Sequence, residues 1–220
     1  MTTKSKIAID DLVAYVNGLF PSLSVFEQRL SIELYRLLSE GKPVPRQRLV
    51  PQLKCTVDTI NTTLDAWPCV FFDEQRRIVG YWGLALQEAY TGPHAIAVGA
   101  QSLSAWCAWD TLLLPMLLGQ TAEIESKTPG GSRVYLRVTP HRVEHKYPID
   151  LQMSFLLPDP AAVRKHVVNS FCHFIHFFTS PEAGRGWVAR HSGTFLLALD
   201  DAHDLARRRN LPLYRDVLVS

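Results

Sequence analysis

The chain is poor in the features that announce a compartment or a class of partner. Its 220 residues hold four cysteines, Cys55, Cys69, Cys107 and Cys172, and no Cys-x-x-Cys pair. They are too few and too scattered for a disulfide framework, so each is expected to be a free thiol: a small buried hydrophobe, or a reactive or metal-binding group. No apolar run approaches the roughly 18 to 20 residues that span a bilayer; the closest is Leu112 to Leu118. Charge of one sign is also missing. With 23 basic and 21 acidic side chains the formal charge is +2, too weak a field to make nucleic acid or an anionic membrane the main partner. The opening MTTKSKIAIDDLVAYV lacks a sustained apolar core and reaches Asp10 and Asp11 early. That argues against a secretory signal and leaves the cytoplasm as the expected location. Neither a repeat nor a low-complexity segment is present.

What is there is enough hydrophobic residue, 47%, to bury a full core as one domain or two small ones. Phe26, Leu30, Leu34, Leu37 and Leu38 recur at helical spacing over residues 25–39, and Gly41 and Pro43 end that helix. A short basic segment, Val44 to Leu53, precedes a further helix over Thr56 to Trp67. Val70–Phe72 and Ile78–Tyr81 then flank the polar stretch Asp73 to Arg77, the pattern of a small β-hairpin. Three helices and a hairpin suggest a winged helix-turn-helix-like module over residues 1–82. Arg46, Arg48, Arg76 and Arg77 would be its phosphate contacts if it bound DNA, but Gln47 and Asn61 are the best of few base-reading side chains, and a structural cap is the alternative.

From residue 83 to 220 short strands dominate, near 84–90, 95–99, 122–126, 134–138 and 153–157, broken by Gly and Pro turns. Helices are expected at 103–117, 161–171, 182–191 and 202–209. The fold class is therefore α+β, the second part being a mixed, mainly antiparallel sheet core with flanking helices.

The expected helix LSAWCAWDTLLLPMLL sets Cys107 and Asp110 three residues apart on one face. Cys107 in its early turns would feel the positive end of the macrodipole, which favours a thiolate, while Asp110 would rather hold a proton beside that thiolate. A carboxyl that takes a proton from one thiol can deliver it to another atom nearby. The alternative is a packed cysteine and a capping aspartate, and Pro115 suggests a bend or an early end. The second segment, VVNSFCHFIHFF, sets Cys172 beside His173 and His176. As a strand it would point the two histidines to opposite faces, and as a helix it would bring them together. Even then zinc would lack further ligands, so ordinary packed histidines are the expectation.

AWCAWDTLLLP and SFCHFIHFF, with their cysteines at 107 and 172, resemble the two signature segments of the organomercurial (alkylmercury) lyase family in order and spacing. RLLSEGKPVPRQRL and RRIVGYWGLAL are similar to that family's N-terminal helical module and wing, and MSFLLPD and the helix holding Trp187 are also alike; residues 1–24 are least so. The resemblance implies an active site of two cysteines and an aspartate, at Cys107, Cys172 and Asp110, acting on mercury as substrate and product. The family often has a cysteine between the motifs and another directly after the second; here none lies between them and His173 takes the second place. These departures bear on how the metal is handled after cleavage.

The chemistry agrees with the residue types. Mercury(II) is soft and prefers thiolates; one captures R–Hg⁺, and a second raises electron density on the metal and weakens its bond to carbon. The carbon must leave as R–H, which requires an acid, for which Asp110 stands. The resemblance thus implies protonolysis of the carbon–mercury bond with no external cofactor, small thiols or a mercuric reductase to accept Hg(II), and a monomer or homodimer. Phe171, Phe174, Trp106 and Trp109 would exclude water and receive the organic group, or form ordinary core. Cys55 and Cys69, outside both motifs, are read as structural. The competing readings are a winged-helix metal-responsive regulator and a thiol-based carrier without lyase activity.

Overall fold

A computed structural model describes residues 8–18, 22–157 and 159–218, apart from the side chains at 163 and 164. Residues 1–7, part of the segment read for a secretory signal, lie outside the described residues, as does Pro158 of MSFLLPD.

The N-terminal part contains α1 (Ile9–Gly18), α2 (Val25–Leu38), a 3-10 turn at Arg46–Leu49 running into α3 (Val50–Leu53), and α4 (Val57–Ala66). Helix α2 starts where Ser24 and Glu27 form a capping box, which satisfies amide groups the helix itself cannot. Its Leu30, Leu34, Leu37 and Leu38 are all buried, as their spacing predicts. The hairpin β1 (Val70–Phe72) and β2 (Ile78–Tyr81) falls on the residues expected for it. The four arginines considered for phosphate contacts are engaged with the chain's own carboxylates: Arg46 and Arg76 with Asp65, Arg48 with Glu40 and Arg77 with Asp73. Asn61 accepts a hydrogen bond from Arg46.

The hairpin does not stand apart as a wing. Strand β2 pairs onward with β3 (Leu84–Leu86), and β4 (His94–Val98), β5 (Gln101–Ala105), β6 (Ala122–Lys127), β7 (Arg133–Val138) and β8 (Val143–Tyr147) complete an eight-stranded antiparallel sheet in the order β1-β2-β3-β5-β4-β6-β7-β8. A second, three-stranded antiparallel sheet has β9 (Gln152–Leu156) between β10 (Phe177–Phe178) and β11 (Thr194–Ala198). The α+β class with a mainly antiparallel core is thus the observed one.

Helix α5 (Ala108–Leu118) lies between these parts with apolar side chains on every side, packed against α2 and α8 (Leu199–Leu213). Only two of its eleven residues, Met116 and Leu118, escape full burial, so its hydrophobic residues run together instead of forming one stripe. It begins five residues later than expected: Leu103 to Ala105 belong to β5, which pairs with both β3 and β4. The unbroken apolar content of this region hides the change from strand to helix, and two-sided pairing decides it. The helix continues through Pro115 and ends at Gly119, which takes the left-handed conformation at φ 63°. Helices α6 (Pro160–Ser170) and α7 (Pro181–Val188) lie close to their expected ranges. Among the described residues no helix is long and apolar enough to cross a membrane.

Residues before and after position 82 share one sheet and one core. Gln28 donates to Asp216 at 2.7 Å and the Ser31 and Tyr214 hydroxyls share a hydrogen bond at 2.8 Å, while Tyr35 donates its hydroxyl to Trp82 O at 2.9 Å at the boundary itself. Removing residues 1–82 would also withdraw Leu30, Leu34, Leu37 and Leu38, each contributing ~2 kcal/mol by burial. The expected outcome is insoluble or inactive protein, checked by solubility and a melting curve. A truncated chain that melts cooperatively and keeps full activity would show the helical part to be an independent appendage.

Candidate active site

The start of α5 is built from chemistry-bearing residues. Cys107, with extended backbone at φ −147° and ψ 172°, is the N-cap, and Asp110 occupies the third helical position. The Cys107 N–H donates to Asp110 Oδ2 at 2.9 Å, one half of a capping box in which cysteine stands where serine or threonine is usual. The pair therefore meet across the helix end, not along its flank. The next amide, that of Ala108, donates to Ile175 O at 3.2 Å, so the helix end is tied to the second motif.

That motif is neither a strand nor an α-helix at Cys172. It is a 3-10 turn, Cys172–Phe174, that leads into β10. Ser154 on β9 holds the turn: its hydroxyl donates to Phe174 O at 2.7 Å, its amide to His176 O at 2.9 Å, and its oxygen accepts the His176 amide at 2.9 Å. The result brings Cys107 Sγ, Cys172 Sγ and an Asp110 carboxylate oxygen within 4.8 Å of one another. Among the described residues this is the one cluster of His, Cys, Asp and Glu able to hold a metal ion. His173 and His176 are not part of it; His176 Nε2 donates to His173 O at 2.7 Å, and its ring packs against Trp187.

All three groups are nearly shut off from solvent, at 0% exposure for Cys107, 5% for Cys172 and 9% for Asp110. Burial pushes the Cys107 thiol far above its usual range, helped by its hydrogen bond to Cys172 and by the Asp110 charge. Desolvation therefore outweighs the helix-end field expected to favour a thiolate. For Cys172 the hydrogen bond from Cys107 pulls downward, but burial and Asp110 carry it above the ordinary value. Burial raises the Asp110 carboxyl to about 6, against the lowering effect of the Cys107 hydrogen bonds and the Arg209 charge. The resting site thus keeps protons on sulfur and has a carboxyl that changes state near neutrality, which suits a group that takes and returns a proton.

Residues that spacing did not single out complete the walls. Gly83, at φ +92°, lies so close to Asp110 that a Cβ there would stand 2.5 Å from Oδ1 and 2.6 Å from Cγ. Its carbonyl accepts the Trp106 N–H at 3.0 Å. Tyr90 donates its hydroxyl to Trp106 O at 3.3 Å, beside Cys107, and is raised to about 12 by burial and by the charges of Cys172, Cys107 and Asp110. Trp106 stacks on Phe71 at 4.6 Å, whereas Trp109, Phe155 and Phe171 form an edge-to-face cluster. Cys55 is partly exposed and packs on the helical part of the core. Cys69 is also partly buried, and burial raises its thiol to about 12, with further contributions from Cys172 and Asp110.

Comparison with known proteins places these observations in one group. The family model described as alkylmercury lyase matches residues 89–209. The chain is 38% identical over 175 residues to the alkylmercury lyase of Staphylococcus epidermidis, covering 79% of this chain and 78% of that protein. It is 36% identical over 176 residues to that of Streptomyces lividans, with 79% and 78% covered, and 35% identical over 177 residues to that of Pseudomonas putida, with 80% of each covered. A crystal structure of the mercury-bound form of MerB2 has the same fold, with a TM-score of 0.73 at 20% identity over 93% of this chain and 99% of that one.

The raised Asp110 carboxyl has a measurable effect on stability. Because its folded value, about 6, lies above the ordinary 3.8, the folded chain holds this proton more tightly than the unfolded chain. The stabilisation is complete below about pH 4 and is lost as pH rises through about 6, a difference on the order of 3 kcal/mol. Asp110→Asn retains an oxygen acceptor for the Cys107 amide and cannot ionise. Its stability relative to the parent should therefore rise between pH 4.5 and 7.5 in urea titrations; a pH-independent difference would contradict the assigned shift.

Proposed function

Since the chain belongs to the alkylmercury lyase family, and so cleaves carbon–mercury bonds, we propose that Cys107, Cys172 and Asp110 are the groups that carry out the cleavage. The observation that carries this reading is the mutual approach, within 4.8 Å, of two buried thiols and a buried carboxyl raised to about 6.

The substrate is an organomercurial R–Hg–X. As one thiol sulfur binds mercury, X departs with one thiol proton, and a second proton passes from the other thiol to Asp110. Two thiolates on the metal increase its electron density and weaken the bond to carbon. Asp110 then returns its proton to the carbon as that bond breaks, giving R–H and Hg(II) held by both sulfurs. Two thiol protons enter and two leave, one with X and one on carbon, so the cycle balances with no oxidant, reductant or resident cofactor. We place this work in the cytoplasm, where cysteines stay reduced and small thiols or a mercuric reductase can accept Hg(II). Phe71, Trp106 and Tyr90 pack together at the residue before Cys107 and suit an apolar organic group.

Cys107→Ser and Cys172→Ser should each abolish turnover and leave the melting curve intact; normal activity in either removes the mechanism. Asp110→Asn should still bind mercury through its cysteines but release hydrocarbon slower by ~10²-fold or more, given typical acid–base contributions. Single-turnover hydrocarbon release measured beside mercury stoichiometry separates this outcome from a carrier, for which the carboxyl is dispensable. Gly83→Ala, which drives a methyl against Asp110, should lower the rate of cleavage by about 10²-fold, as a displacement near 1 Å can do, with thiol-bound mercury still at one per chain. Parent rates in Gly83→Ala would show that the carboxyl does not depend on this backbone contact.

A further inference from the structure

The trio lies at one end of the large sheet, and the strand order brings a third thiol to that end. The pairs Val70–Tyr81, Tyr81–Leu84 and Leu84–Ala105 form a row across β1, β2, β3 and β5. Just beyond this row, on the side of the site, come Cys69, the Trp82–Gly83 corner and Trp106–Cys107 in turn. The Trp82 amide donates to Cys69 O at 3.2 Å, the Trp106 amide donates to Gly83 O at 3.0 Å, and Gly83 abuts the Asp110 carboxyl. The sheet also curls there, for Phe71 of β1 stacks at 4.6 Å on Trp106, which follows β5, three strand positions away in the order of the sheet. Burial raises the Cys69 thiol to about 12, with smaller contributions from the charges of Cys172 and Asp110. It is distinct from the other two in its setting: Cys107 and Cys172 are buried, and Cys69 is partly exposed. The residues that follow it, Val70 and Phe71, line a surface groove of about 900 Å³.

We propose that Cys69 is a relay thiol that takes Hg(II) from the buried pair and presents it to the external acceptor. This rests on the cleavage reading above and extends it to the step after cleavage. Once Asp110 has given its proton to carbon it is a carboxylate, able to accept the Cys69 proton. The Cys69 sulfur then bonds to mercury held by Cys107 and Cys172. The Cys107–mercury bond breaks, and the freed thiolate recovers the proton from Asp110. One sulfur–mercury bond forms and one breaks, no electron is transferred, and the metal now sits between Cys172 and Cys69 with Cys107 and Asp110 reset. Soft-metal exchange between thiolates suits such stepwise substitution, because a third sulfur can join before the first departs.

The test uses the full chain and one equivalent of phenylmercury. Benzene release in the first turnover and transfer of Hg(II) to an added dithiol are timed separately in the parent, Cys69→Ser, Cys69→Ala and the control Cys55→Ser. The transfer step should slow in both Cys69 variants by about tenfold more than benzene release does, for want of the exchanging thiolate, and Cys55→Ser should follow the parent. Equal slowing of both steps, or parent transfer rates, overturns the relay. As a second measurement, X-ray absorption on Cys107→Ser loaded with Hg(II) should count two sulfurs on mercury, falling to one in Cys107→Ser/Cys69→Ser. An unchanged sulfur count also overturns it. Failure of the parent to release benzene would instead refute the cleavage reading, so the two failures remain distinct.

Discussion

The first amide groups of a helix find no partner inside it, and at α5 they are met by groups from two distant parts of the chain. Asp110 turns back to the Cys107 amide at 2.9 Å, and Ile175 supplies its carbonyl to the Ala108 amide at 3.2 Å. The same two hydrogen bonds that finish the helix fix the carboxyl against one thiol and dock the turn carrying the other. The site is thus a by-product of capping a buried helix. An unsatisfied amide in so dry a place would cost about 1 to 3 kcal/mol, so the arrangement that brings the reactive groups together is also the one the fold requires.

Around that junction the remaining architecture supplies rigidity. Ser154 in the middle strand of the small sheet makes three hydrogen bonds to the turn after Cys172. On the opposite side, Asn210 on α8 donates to Leu113 O at 3.1 Å, and Trp109 donates its indole N–H to Ala202 O at 3.2 Å. The helix is therefore pinned at its reactive end by the second motif and along its length by α8. The helical N-terminal part adds the third wall through the Trp82–Gly83 corner, whose backbone is held by Tyr35 and by Cys69.

Much of this was legible in the sequence. Helical spacing marked α2, the polar interval between two short apolar runs marked the β1–β2 hairpin, and the two motifs brought Cys107, Asp110 and Cys172 into view. Less legible was the beginning of α5, because Leu103 and Ala105 suit the apolar faces of a strand and a helix equally. Only their pairing partners, remote in sequence, decide between the two. Gly83 lies in a segment likened only to the family's wing, Tyr90 carries no motif, and Cys69 reads as one more scattered thiol. Their proximity to the site is a property of strand order, β1-β2-β3-β5, which spacing along the chain does not encode. The charge state of the thiols was also beyond reach, since the field of a helix end can be read from position but the depth of burial cannot.

That depth of burial makes the resting site a filter for the form in which a metal arrives. With protons on both sulfurs and little water, it offers a metal no charge beyond that of the Asp110 carboxyl, which changes state at about 6. A hydrated divalent ion such as zinc would have to shed its water shell and displace those protons before gaining any ligand, and an uncompensated charge in such surroundings is strongly disfavoured. A neutral organomercurial carries no tight hydration shell and brings an apolar group that gains from leaving water. Discrimination between the pollutant and the cell's ordinary metals can therefore begin at entry, through dehydration, before the preference of sulfur for mercury has any part in it.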